Sequence, residues 1–438
     1  MSNPKKLCYI PTMSIDSLGK YHNAVNFLEG LTNLPMVNDY MIDSNHEEIY
    51  IKRMRYFLHT IGNPEMGMKF IHITGTSGKG TVTNMVNEIL LASGRNVGSF
   101  TSPYVTTSIE KIKVKDKFIS VEEFSDLVEY LKPFIDKSYV DGPYGRPSYF
   151  EIFLAIAILY FKRKKCDFVV LEVGLGGRYD ATNFIDKPLV TAITNIDYDH
   201  TEILGKTLAK IAFDKAGIIK PGSVFFTTEQ RPSLIKIFRN ICSEKSVKFT
   251  MLPEQDNYHE YNIKLAEAIA KYLNIDRKSI SKGIGRAKLA CRFEIVSKKP
   301  LVILDGAHNR SKIASTVRNL QNYRYKKLFL IIGIASDKDH KSILGQIVPL
   351  AHRIYYTRFQ NRHRKCAQPN DLHKISRSFS KPSAISKINL DPEMALADAL
   401  CQAKQDDLII VTGSFFLAGE LRKHWYPENY ILKKRRSF

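Results

Sequence analysis

The stretch Gly75-Thr-Ser-Gly-Lys-Gly-Thr81 carries the residue types best suited to chemistry in this sequence. Gly75, Gly78 and Gly80 allow unusual backbone angles and close approach, so that the N–H groups of Thr76, Ser77 and Thr81 can turn toward an anion. Lys79 adds a point charge, and a helix beginning here would add its positive N-terminal end. That combination suits a polyphosphate; a bare strand-to-helix turn would not call for the lysine. The loop departs from the usual phosphate-loop pattern at two positions. Ile73 stands where the first glycine belongs, and Gly80 follows Lys79 where a serine or threonine belongs. The missing hydroxyl normally ligates Mg²⁺, so a metal at this loop needs an oxygen from elsewhere in the chain.

Such a loop works only at the end of a strand that feeds a helix. The apolar run Lys69-Phe-Ile-His-Ile-Thr74 precedes it, and the helical spacing from Thr83 to Leu91 follows it. Two helices are expected over 14–60. Further strands are expected at 96–100, 168–172, 190–196 and 224–227, with helices at 121–135, 149–164, 207–216 and 260–273, the last closing the unit. Strands alternating with helices imply an α/β fold, with a mostly parallel sheet covered on both faces and carrying the phosphate loop. A second alternating series starts near Phe293, with strands at 302–304, 328–332, 354–356 and 408–412 and helices at 311–321, 341–349 and 393–404. It predicts a smaller, Rossmann-like α/β domain. The boundary is read in Lys282-Gly-Ile-Gly-Arg-Ala-Lys288, giving domains 1–288 and 289–438.

A chain of 438 residues suits two such units, and its 44% hydrophobic and 25% charged residues are ordinary for a globular protein. The longest apolar run, Glu151 to Phe161, is about half the ~20 residues a membrane-spanning helix needs, so it reads as a buried helix. The N-terminus has lysines but no apolar segment, which leaves a cytoplasmic expectation. Six scattered cysteines form no metal-spaced group and read as thiols. The net charge of +21 is spread along the chain, with clusters at 162–165, 362–365 and 433–436 read as solvated surface. A nucleic-acid-binding phosphate-loop protein would need basic and aromatic residues grouped on a face or a recognition motif, and neither is legible.

His72-Ile-Thr-Gly-Thr-Ser-Gly-Lys-Gly-Thr81 resembles the opening of the folylpolyglutamate synthase and dihydrofolate synthase family, relatives of the muramyl peptide ligases. Other segments are similar to family signatures in the same order. They are Phe100-Thr-Ser-Pro-Tyr104, Leu171 to Asn183, Thr194 to Gly205, Asp214 to Lys220, Leu304-Asp-Gly-Ala-His-Asn309, Ser336-Asp-Lys-Asp339 and Val411-Thr-Gly-Ser414. The resemblance runs from about residue 18 to 421.

It implies an ATP-dependent, ADP-forming ligase with two Mg²⁺ sites, in which Ser102 replaces the missing hydroxyl and Glu172 and His200 complete the metal ligands. It implies a carbamylated Lys215, nucleotide contacts from Arg292, Asp305 and His308, and an adenine-side contact from Asn262, with Ser414 nearby. The acceptor would be dihydropteroate or a reduced folate, the donor amine L-glutamate, and the enzyme a monomer with no nucleic-acid or membrane partner. The sequence departs from the family at Tyr104, Ser77 and Ala290-Cys291; none of these removes a proposed ligand. A muramyl-type ligase is the sibling alternative, against which Leu171 to Asn183 and Thr101-Ser-Pro103 argue. An inactive scaffold would not be expected to keep Lys79, Ser102, Glu172, His200 and Lys215.

Overall fold

The computed structural model describes residues 15–33, 48–255, 257–361 and 364–438. The N-terminal reading, Cys8 and two residues of the 362–365 cluster lie outside the described residues.

Short, mostly apolar runs form the strands of the first sheet, buried in its centre and more open at the edge strand Lys248–Met251. These are β1 (Lys69–Thr74), β2 (Val97–Phe100), β3 (Ile112–Val114), β4 (Lys117–Phe118), β5 (Phe168–Glu172), β6 (Val190–Ile193), β7 (Val224–Thr227) and β8 (Lys248–Met251). Their order is β4-β3-β2-β5-β1-β6-β7-β8. Helices α1 (Ile15–Gly30), α2 (Ile49–Thr60), α3 (Lys79–Ala92), α4 (Val121–Asp141), α5 (Tyr149–Arg163), α6 (Thr201–Leu204), α7 (Leu208–Lys215), α8 (Pro232–Glu244), α9 (Tyr258–Tyr272) and α10 (Arg277–Arg286) belong to this part of the chain. Strand β5 is buried at every position, which is why it reads as continuous apolar sequence rather than as an alternation. The apolar run from Ile152 to Phe161 is the buried body of α5. Among the described residues no helix is long and apolar enough to cross a membrane.

Register positions the chemistry. Ile73 of β1 pairs with Glu172 of β5, and Phe100 of β2 pairs with Leu171. The loops leaving β1, β2 and β5 therefore emerge side by side at the C-terminal edge of the sheet, where ligands of open parallel sheets bind.

The second sheet has order β13-β12-β11-β14-β10-β9. Its strands are β9 (Glu294–Lys298), β10 (Leu301–Leu304), β11 (Leu328–Ile332), β12 (Arg353–Tyr356), β13 (Ile385–Ile388) and β14 (Leu408–Thr412). Helices α11 (Arg310–Leu320), α12 (His340–Ile347), α13 (Pro369–Ser376), α14 (Pro392–Gln402), α15 (Phe415–Arg422) and α16 (Glu428–Lys434) accompany it. β9 is antiparallel to β10, while the other pairings are parallel.

Two sequence expectations need correction, and one edge hairpin is not legible in the sequence. The stretch 282–288 is mostly helix: α10 runs to Arg286, so 260–273 is not the last element packed on the first sheet's helices. Gly283 lies so close to α3 that a Cβ there would sit 2.4 Å from Ile89 Cα, which marks helix contact rather than a linker. The edge hairpin β3–β4 is antiparallel and too short to leave a pattern. The basic cluster 433–436 is not simply solvated. Arg435 donates to Phe118 O at 2.7 Å and to Tyr160 Oη at 3.2 Å, and Arg436 pairs with Asp116. The chain's last described segment thus returns to the first sheet.

Candidate functional site

The glycine loop owes its shape to local sterics. Gly78 caps α3 at φ 87°, in the left-handed region. Gly75 has φ 146°, and a Cβ there would fall 1.8 Å from Thr194 Oγ1, so no other residue fits. The segment after β6 braces the loop from behind. The carbonyl of Asn195 accepts from Thr76 N–H and its Oδ1 from Ser77 N–H, each at 2.8 Å, and Thr194 Oγ1 donates to Ser77 O at 2.6 Å. Lys79 Nζ turns back to Gly75 O at 2.9 Å. Asn262, on α9, leans on the loop, since a Cβ on Gly78 would meet its Oδ1 at 2.4 Å.

Gly80 faces a carboxylate. A Cβ at position 80 would lie 3.1 Å from Glu172 Oε2 and 3.3 Å from Oε1, so Glu172 occupies the side on which a larger residue would project. Glu172 is buried and accepts from Ser102 N–H at 3.1 Å. Burial pushes its carboxyl up, and Lys79 opposes that shift. Gly80, Ser102 and Glu172 thus meet at one point.

His200 stands in the left-handed region at φ 51°, with Nε2 3.9 Å from Asp199 Oδ1. Burial holds its imidazole down to about 4, leaving it neutral near pH 7 as a metal ligand must be. Among the described residues no three His, Cys, Asp or Glu side chains gather. A hydroxyl, one carboxylate and one imidazole fit a Mg²⁺ that draws its other oxygens from phosphate and water, rather than from a protein cage. Lys215, buried at the end of α7, has its amine held down by burial first and then by Lys79, with Asp214 opposing.

A cavity of about 450 Å³ opens between the two sheets, lined by Gly80, Ser102, Tyr104, Glu172, Arg292 and Phe415 among others. The Arg292 guanidinium lies 4.8 Å from the centre of the Phe415 ring. Asp305 is buried and accepts from Thr316 Oγ1; burial pushes its carboxyl up. His308 donates through Nδ1 to Gly306 O at 3.0 Å and accepts at Nε2 from Lys312 at 3.1 Å. Of the proposed residues, Gly80, Ser102 and Glu172 line this cavity from the first sheet and Arg292 from the second. Lys79, Asn262, His200, Lys215, Asp305 and His308 do not line the cavity, and the Ser414 hydroxyl is used to cap α15 through Phe416 N–H at 3.1 Å.

Three charged groups were not singled out from sequence. Lys338 reaches across from the second sheet to Asp199, Nζ to Oδ1 at 3.0 Å. Burial would raise the Asp199 carboxyl, but Lys312, His200 and Lys338 outweigh it and hold the group well below the usual range. Lys312 could have been noticed, because it follows His308 by four residues and so shares its side of the entry into α11.

Residues 139–288 match the Mur ligase middle domain and residues 291–415 the Mur ligase glutamate ligase domain. The chain is 30% identical over 413 residues to the dihydrofolate synthase/folylpolyglutamate synthase of Bacillus subtilis, an overlap of 85% of this chain and 94% of that protein. The solved folylpolyglutamate synthase of Thermotoga maritima is 29% identical and superposes with a TM-score of 0.78, covering 95% of this chain and 99% of that one. A bifunctional folylpolyglutamate synthase/dihydrofolate synthase solved with Mn, AMPPNP and L-glutamate bound is 26% identical, with a TM-score of 0.73 over 85% of this chain and 93% of that one.

Proposed function

This chain belongs to the dihydrofolate synthase/folylpolyglutamate synthase family of Mur ligases, and from that premise we propose how its residues divide the reaction. It is an ATP-dependent, ADP-forming ligase that joins L-glutamate to a folate-type carboxylate. The observation that carries the assignment of roles is the meeting of Gly80, Glu172 and Ser102 beside Lys79.

The acceptor carboxylate attacks the γ-phosphorus of ATP, ADP leaves, and an acyl phosphate results. The amine of L-glutamate then adds to the activated carbonyl, phosphate leaves, and an amide remains. Because Asn195 takes the N–H groups of Thr76 and Ser77, those of Gly78 to Thr81, at the start of α3, cradle the phosphates. Lys79 and Arg292 donate to the phosphoryl oxygens on which charge accumulates, Arg292 with the planar fork that suits them. Asn262 contacts the adenine side, and Asp305 and His308 approach the nucleotide from the second unit. Ser102, Glu172 and His200 would hold Mg²⁺ in one of two metal sites, where it would neutralise charge on the phosphates. Lys215, its amine held down to about 7 by burial, is suited to add CO₂ at Nζ, losing a proton and becoming a carbamate that would serve the second site.

Residues 1–288 and 289–438 act as two bodies that close on the substrates. Both contribute to the cleft from a single chain, so a monomer suffices, and the thiols suit a reducing, cytoplasmic setting. We favour an enzyme that forms dihydrofolate, alone or together with folylpolyglutamate. The test is ADP release with dihydropteroate or tetrahydrofolate, each with and without L-glutamate. Glutamate-dependent turnover with dihydropteroate is expected; turnover with neither pterin would overturn the assignment.

A further inference from the structure

We propose that Lys312 contacts the transferring phosphoryl group directly, as a cation supplied by the second unit. The inference rests on the ligase reading above and extends it to a residue outside the quoted motifs.

Lys312 enters from the first turn of α11, whose N-cap Asn309 accepts from the Lys312 N–H at 3.0 Å. Its ammonium donates to His308 Nε2 at 3.1 Å, and His308 is fixed in turn by its bond to Gly306 O, so the amine is aimed rather than loose. The surrounding charges point to an anion. Lys312 feels the fields of Arg292, Lys79 and Lys338, opposed by Asp199, which already binds Lys338 at 3.0 Å. It also acts, with Lys79 and Arg292, on the Glu172 carboxylate. Held against His308, the amine thus shares its charge environment with Lys79, Arg292 and the proposed metal carboxylate.

Burying cations together is unfavourable unless an anion joins them. Burial, with the neighbouring cations, pulls the Lys312 amine down to about 7. A γ-phosphate, or the acyl phosphate made from it, carries the charge that would complete the cluster, and it must pass between the two units. Inorganic phosphate and the nucleotide present the same chemistry, so the test uses both.

The rival role is purely structural, with Lys312 only orienting His308. Lys312→Met and Lys312→Arg are compared with the native chain, alone and in a His308→Gln background. Lys312→Met is expected to lower kcat about a hundredfold, the size of losing one donor to developing charge, while KM for L-glutamate stays within about threefold. It should weaken Mg·ATP binding, measured by calorimetry, and competition by inorganic phosphate about tenfold each, with Lys312→Arg recovering most of both losses. The melting temperature should hold; if Lys312→Met does not fold, Lys312→Gln replaces it.

Unchanged kcat and nucleotide binding, or no further loss in the His308→Gln background, would overturn the proposal. If the native chain turns over neither pterin, the ligase reading fails instead. The calorimetric arm then decides on Lys312 alone: a tenfold loss of Mg·ATP binding upholds the phosphate contact, and equal binding refutes it.

Discussion

Gly80 shows how a residue can matter through what it lacks. A side chain there would press on the Glu172 carboxylate, at 3.1 Å from the Cβ position. Sequence identified the absent hydroxyl and the need for a substitute; it could not reveal that the room is taken by a carboxylate that also accepts from Ser102 N–H. Ser102→Ala keeps that backbone bond and removes only the hydroxyl. The Mg²⁺ concentration for half-maximal activity should rise roughly ten- to a hundredfold with the melting temperature unchanged, and an unaltered Mg²⁺ titration would refute the ligand role. Asp199 and Lys312 were less legible because neither residue type nor spacing announces a partner on another sheet. Their importance is a matter of distance and burial.

At the scale of elements, the strand that feeds the glycine loop carries a buried histidine. His72 Nε2 lies 2.8 Å from Thr182 Oγ1 and the side chain is fully buried. Burial lowers its pKa from 6.5 to about 3. Between these values the unfolded chain binds the proton and the folded chain does not, so stability rises with pH across this window and is lost as pH falls from about 6.5 toward 3. The contribution is on the order of a few kcal/mol; urea unfolding of His72→Gln should depend less steeply on pH between 6.5 and 4.5 than that of the native chain. The second sheet depends on a different buried pair. Arg422 of α15 donates through Nε to both oxygens of Glu294 on β9, at 3.0 and 2.8 Å. Arg422→Met leaves that carboxylate buried against the Cys291 N–H without its cation and should cost about 3–5 kcal/mol in denaturant unfolding. Helix order was readable from periodicity. The role of Gly283 was not, because a glycine that admits a neighbouring helix looks the same in sequence as one that loosens a linker.

At the scale of the molecule, the two sheets are tied across the cleft by Lys338 and Asp199 and, farther off, by the returning segment at Arg435 and Arg436. Because Asp199 adjoins His200, breaking the bridge should disturb a proposed metal ligand more than the fold. Lys338→Met is expected to lower kcat/KM for ATP about tenfold, roughly the 1.4 kcal/mol of one charge-assisted bond, with little change in melting temperature. Steady-state kinetics beside a thermal melt would check this, and a large fall in melting temperature would reassign the bridge to stability. Part of the +21 charge sits around the cleft, which Lys113, Arg286, Lys288 and Arg292 help to line. By itself the sequence determined the glycine loop, the alternation of strands and helices and the kinds of ligand the loop would need, because these follow from neighbouring residues and short periodicities. Only the tertiary structure decided which groups meet. Parallel strand register aligns Glu172 with Ile73, about a hundred residues away, and packing between the sheets brings Lys312 and Lys338 to Asp199. Such pairings depend on contacts between segments whose local sequences carry no trace of one another.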